Sequence, residues 1–173
     1  MVHSVELVFD ADTDARIRGV WDDLGAIGVR SQAAVKSPSN RPHVTLVVAQ
    51  QMTNDVDDVL VPVLSRLPLA CRIGAPMLFG SGPFTLVRLV VPSDELLALH
   101  AEVYRACLPF MSPAPLPHAE PGDWTAHVTL ARRVAAAELP RVFGVASVTA
   151  DIDAGAAGLR HWDGDSRVEH HIG

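Results

Sequence analysis

The chain is short of cysteine, of aromatic residues and of positive charge, and it has no long apolar run. The two cysteines, Cys71 and Cys107, have no paired spacing, which excludes a disulfide framework and a cysteine-built zinc or redox motif. Both read as core thiols, one in a strand and one in a helix. A formal net charge of −6 excludes a long nucleic-acid footprint, because neutralising many phosphates needs a surplus of Lys and Arg. A small anion can still be held locally. No stretch reaches the roughly 20 apolar residues of a membrane span, and the start, MVHSVELVFDAD, lacks a basic segment followed by an apolar one. A cytoplasmic protein with no membrane partner is expected.

What is present suits an ordinary globular domain. With 173 residues, 49% of them hydrophobic, the chain can bury a sizeable core without a metal or a disulfide, and a monomer is expected. Ser4 to Asp10 alternates like a strand, and Asp12 or Thr13 is placed to cap a helix through about Leu24. A polar loop, Ser31 to Pro42, leads into a strand from His43 to Ala49. A helix from Asn54 or Asp55 to about Arg66 follows, then strands over Leu69 to Phe79 and Phe84 to Val91 joined by the turn GSGP.

The second half runs in the same order. Ser93 or Asp94 caps a helix to about Leu108, with Leu96, Leu97, Val103 and Tyr104 available for its buried face. A Pro-rich loop from Pro109 to Asp123 precedes a strand over Thr125 to Val134, a short helix around Ala136 to Val142, and strands near Val145 to Asp153, Gly158 to Trp162 and Arg167 to Ile172. The chain is thus expected to be one domain, 1–173, made of pseudo-symmetric halves of about 1–80 and 84–173.

The tetrapeptide His-Val-Thr-Leu occurs once in each half, beginning at His43 and at His127. On a strand, His43 and Thr45 point one way and Val44 and Leu46 the other; His127 and Thr129 do the same above Val128 and Leu130. Halves related by an approximate two-fold axis bring both His/Thr pairs to one cleft. Two imidazoles and two hydroxyls suit in-line displacement at phosphorus. One histidine removes a proton from the attacking oxygen, the other gives one to the leaving oxygen, and the threonines bond the non-bridging oxygens. Neither a metal nor another cofactor is called for.

Two H-x-[T/S]-hydrophobic motifs half a chain apart, in this element order, resemble the two-histidine phosphoesterase superfamily. The likeness is in particular to the bacterial RNA 2′,3′-cyclic phosphodiesterases historically called 2′-5′ RNA ligases, and it covers about Val5 to Ile172. The resemblance implies an α+β fold, bilobal, with two antiparallel sheets around a concave central cleft and helices packed outside. It also implies metal-independent opening of 2′,3′-cyclic phosphates to 2′-phosphates, with 2′-5′ joining as the reverse activity. His43 and His127 take its catalytic positions and Thr45 and Thr129 its phosphate-binding ones. The acidic, aromatic-poor composition favours a small cyclic phosphate or a short RNA end as substrate.

Other readings stay open. The same cleft could bind a nucleotide or phosphorylated ligand without turning it over. A metal hydrolase could be built on the C-terminal RHWDGDSRVEHHIG, with His161, His170, His171 and Asp163 or Glu169. Its spacing matches no ligand pattern, and adjacent histidines on a strand face opposite ways, so a surface location is expected there. His3, His100 and His118 read as exposed or hydrogen-bonded structural residues. Trp124, Phe110 and Phe84 read as core or rim packing, and Arg41, Arg88, Arg132 and Arg133 as solvated charges.

Overall fold

Apolar alternation and helix caps set the elements in the order β1 (His3–Phe9), α1 (Ala11–Ala26), β2 (His43–Met52), α2 (Val56–Leu60), β3 (Leu69–Phe79), β4 (Phe84–Val90), α3 (Asp94–Cys107), β5 (Met111–Pro115), β6 (His127–Val134), α4 (Leu139–Phe143), α5 (Ala146–Thr149), β7 (Ile152–Asp163) and β8 (Val168–His171). The coordinates are a computed structural model describing residues 2–173.

Helix α1 starts at an earlier cap than Asp12 or Thr13. The Asp10 carboxylate accepts from the Thr13 N–H at 2.8 Å and so satisfies one of the free donors of the helix start. The Thr13 hydroxyl is engaged elsewhere, accepting from the Gly155 N–H on β7 at 3.0 Å. A side chain at 155 would meet the cap, since a Cβ there would lie 2.2 Å from Asp10 Oδ2. Glycine therefore lets the helix start dock on the sheet. Ile17, Val20, Trp21 and Leu24 form the buried face of α1, at helical spacing. In α3 the buried face is Leu96, Leu99, His100, Val103 and Cys107; Leu97, expected inside, lies on the exposed side.

The strands form one antiparallel eight-stranded sheet in the order β5-β2-β1-β7-β3-β4-β6, with β8 beside β7. Together with the five α-helices this is the expected α+β class. The two expected sheets are continuous, because β7, 12 residues long, is shared between them. Its first part, Ile152 to Ala156, pairs with β3, while Ala156 to Trp162 pairs with β1 on the other edge. Beyond β3, Arg160 to Asp163 pairs with β8.

Three expectations are corrected. The Pro-rich segment after α3 contains β5, an edge strand on β2, where Pro113 and Pro115 are tolerated because an edge leaves N–H positions unused. The region after α4 opens with a short helix, α5, before β7 begins at Ile152. Arg88 is no solvated charge. It is 1% exposed, and its guanidinium donates to the carbonyls of Gly74, Ile73, Ser147 and Ala150, tying β3 and β4 to the end of α5.

Replacing Arg88 with methionine keeps the stem and leaves those carbonyls without their donor, so Arg88→Met should lower stability by about 3 kcal/mol. A denaturant midpoint shifted down at unchanged slope is the expected result.

Candidate active site

Both His-Val-Thr-Leu segments open a strand and show the same alternation. Val44, Leu46, Val128 and Leu130 are buried to within 1% exposure, whereas His43, Thr45, His127 and Thr129 are half-buried on the other face. The apolar pair anchors each strand in the core and so fixes where the polar pair points. Both histidines also use the same local hydrogen bond. The His43 ring donates from Nδ1 to the Arg41 carbonyl at 2.8 Å, and the His127 ring donates from Nδ1 to the Thr125 carbonyl at 2.7 Å. A carbonyl can only accept, so Nδ1 carries a hydrogen in each ring and Nε2 is the nitrogen left to take up or give a proton.

Strands β2 and β6 lie far apart in the sheet order yet touch across the bent sheet. Two indoles hold them there. Trp21 in α1 donates Nε1–H to the Thr129 carbonyl at 3.2 Å, and Trp124, just ahead of β6, donates to the Thr45 carbonyl at 3.0 Å. Trp124 in turn lies flat on buried His100, ring centres 3.9 Å apart, and His100 donates to the carbonyls of Leu46 and Ala119. Trp124 thus positions the site as well as packing its rim, and His100 has the hydrogen-bonded structural role expected of it.

The paired residues are crossed between strands. His127 shares with Thr45 a cavity of about 610 Å³ whose walls include Phe79, Trp124 and Leu46, and His43 shares a narrow niche with Thr129, Trp21 and Asn40. The surroundings of the two rings differ in polarity. Phe79 meets His127 edge-on at 4.8 Å. Burial pulls His127 below the ordinary histidine value; its bond to the Thr125 carbonyl opposes this, and the charges of His43 and Arg132 add to it.

His43 instead faces a buried carboxylate. Glu6 Oε1 is 3.7 Å from His43 Nε2 and accepts from the Ser4 hydroxyl at 2.7 Å, while Oε2 takes a forked pair of bonds from Arg160 at 2.8 and 2.7 Å. Burial alone would raise the Glu6 carboxyl, but the charges of His43 and Arg160 and the Ser4 bond outweigh it, so Glu6 sits below its usual value. Arg160 reaches on to Glu169 at 2.6 Å and to the Ser39 carbonyl at 2.8 Å, and Arg41 bonds Glu169 at 3.1 Å. Arg41 is therefore paired rather than solvated, whereas Arg132 and Arg133 are exposed as expected.

Glu6, Arg160 and Phe79 were not among the expected site residues. The signal for Glu6 was present in the alternation of SVELVF, which sets Ser4 and Glu6 opposite buried Val5 and Leu7. Its partner Arg160 lies far along the chain and meets it only through the β1–β7 register.

The profile of the 2′-5′ RNA ligase superfamily matches residues 15–165. The chain belongs to this superfamily. Its members are two-histidine phosphoesterases and ligases, which makes this chain an enzyme of that broad kind. Among solved structures, TT0787 of Thermus thermophilus is similar over 100% of this chain and 96% of its own, at 15% identity and a TM-score of 0.61. LigT of E. coli is similar over 98% and 92% of the two chains, at 12% identity and a TM-score of 0.54. Usb1 of Kluyveromyces marxianus is similar over 99% and 97%, at 10% identity and 0.53. At these identities the likeness is one of fold. A comparison with curated protein sequences gives no match. No described helix of this superfamily member is long and apolar enough to cross a membrane.

A carboxylate held below its ordinary value of 4.5 stabilises the folded state fully above that pH and loses its contribution as pH falls through the lowered value. Stability of the unsubstituted protein should therefore fall more steeply on acidification below about pH 4.5 than that of Glu6→Gln, measured by denaturant titration at a series of pH values.

Proposed function

We propose that the protein is a metal-independent cyclic phosphodiesterase that opens 2′,3′-cyclic phosphates of nucleotides or short RNA ends to 2′-phosphates. The observation that carries the reading is the matched pair of histidines, each with Nδ1 committed to a backbone carbonyl and Nε2 left for chemistry, and each set beside the threonine of the opposite strand.

The unequal surroundings divide the labour. His127, disfavoured as a cation by burial beside Phe79, is the base: its Nε2 takes a proton from the attacking water as the new P–O bond forms. His43, whose Nε2 faces the Glu6 carboxylate at 3.7 Å, is the acid: it delivers a proton to the 3′ oxygen as the P–O3′ bond breaks. Thr45 and Thr129 donate to the non-bridging oxygens, whose charge grows in the transition state. A 5′ hydroxyl in place of water gives a 2′-5′ linkage by the same two transfers, the ligation counterpart of the reaction. Nothing in these transfers requires a bound cation.

The main cavity is of the size that takes a nucleoside, with Trp124 and Phe79 among its walls. With a net charge of −6 the chain suits a small cyclic phosphate or a short RNA end rather than a long strand, and it acts as a monomer without a membrane partner in the cytoplasm.

Incubating the protein with the four nucleoside 2′,3′-cyclic phosphates and a short cyclic-ended RNA in excess chelator, then separating the product isomers, tests the reading. Turnover to 2′-phosphates is expected, reduced on the order of 10²-fold or more by His43→Ala or His127→Ala. Saturable binding without product would point to a binding module, and turnover unchanged in both variants would refute the mechanism. The kcat/KM profile should be a bell belonging to the coupled pair. Because the base is the depressed histidine, the acid limb should fall below the ordinary histidine value of 6.5, and activity should persist into mildly acidic buffer.

A further inference from the structure

The face of the sheet opposite the cleft carries a second group of histidines. On β7 the side chains alternate, so Arg160 and Trp162 share the cleft face with Glu6 while His161 points with Val5 into the helix layer. His161 is directly paired across strands with His170 of β8. The expected surface location therefore fails for His161, which is 0% exposed, and holds for His171, which is exposed on the other face. Asp57, at the start of α2, completes the group. Its Oδ1 is 2.9 Å from His161 Nδ1 and its Oδ2 is 2.7 Å from His170 Nδ1.

We propose that Asp57, His161 and His170 form a binding site for one divalent transition-metal ion of the zinc class, which clamps α2 to the C-terminal hairpin. The donor set, two imidazole nitrogens and a carboxylate oxygen, is one that zinc takes with a water in the fourth position. One such atom from each residue lies within 4.8 Å of the others, the span of a single coordination shell. The site is half open: the side chains of His170 and Asp57 are 26% and 25% exposed, giving an ion a way in and a water ligand a place.

A second observation concerns the protons. With both Nδ1–H groups donated to Asp57, His161 Nε2 is a bare lone pair, buried with no hydrogen-bond partner. The neighbouring ring, centres 5.9 Å away, is that of His3, whose buried Nδ1 makes no hydrogen bond and lies 3.5 Å from Asp163 Oδ1. When an ion takes the Nδ1 lone pair of His161, the ring hydrogen moves from Nδ1 to Nε2, on the buried side of the ring. A second histidine behind a metal-binding one is a common way to orient the ligand. The ion is structural, because the sheet separates it from His43 and His127.

The test uses tag-free protein, stripped with chelator and titrated with Zn(II) or Co(II). One ion should bind per chain, Co(II) should develop visible bands of a low-coordinate site, and saturating Zn(II) should raise Tm by about 5 °C. Nitrogen shifts in the NMR spectrum should show the His161 hydrogen moving to Nε2. Asp57→Asn and His170→Ala, both at half-exposed positions that tolerate change, should lose binding and the Tm gain, while exposed His171→Ala retains them. Failure of the stripped protein to hold one equivalent of either ion would overturn the proposal. So would equal binding by the Asp57 and His170 variants.

Discussion

Ile152–Asp163 is hydrogen-bonded along one edge to β1 and along the other first to β3 and then to β8, so one strand carries the ladder that joins the β5-β2-β1 side of the sheet to the β3-β4-β6 side. If β7 were two short strands, the sheet would separate into a group with β2 and a group with β6. The histidines would then have no common frame. Because β7 is continuous, bending the sheet about it swings β2 and β6 toward each other, and the crossed indole bonds from Trp21 and Trp124 close the approach. Each indole donates to the carbonyl of a site threonine, so the bonds that bring the strands together also set the height of their side chains.

Within that frame the two motifs are alike in backbone and unlike in environment. The shared bond from Nδ1 to the carbonyl two residues back costs nothing in sequence beyond the histidine, since any residue supplies a carbonyl, and it gives both rings one tautomer and one direction. A difference between the two rings has to come from outside the repeat. Phe79 and burial work against a charge on His127, whereas His43 faces the carboxylate of Glu6, which Arg160 and Ser4 anchor. Glu6 keeps its charge in a buried place because His43, Arg160 and the Ser4 hydroxyl together oppose the burial, and Arg160 is in turn compensated by Glu169. The chain of pairs thus extends from the His43 ring to the last strand.

The sequence made the strands and the polar faces of the motifs legible, because period-two alternation with buried Val and Leu is a local signal. His43, Thr45, His127 and Thr129 lie where that alternation put them. The helix starts were readable to within a few residues, the difference at Asp10 arising from a tertiary bond to Thr13 that no local pattern carries. What stayed hidden depended on register. Arg88 reads as a strand charge until the end of α5 is folded over it, and β5 reads as a loop until β2 offers it an edge. Glu6 with Arg160, and His161 with His170 and Asp57, are distant in sequence and meet only once the order of strands is known.

The same register explains how one strand serves two faces with opposite demands. Arg160 and His161 are neighbours on β7, yet the first sits among the charges beside His43 and the second lies beneath α2. An ion bound behind the sheet would not add its charge to the cleft directly. It would act by holding β8 in register, and β8 carries Glu169, the residue that compensates Arg160 and engages Arg41. An influence of the back face on the cleft then runs through the position of Glu169, and is felt as a change in how firmly Arg160 holds Glu6.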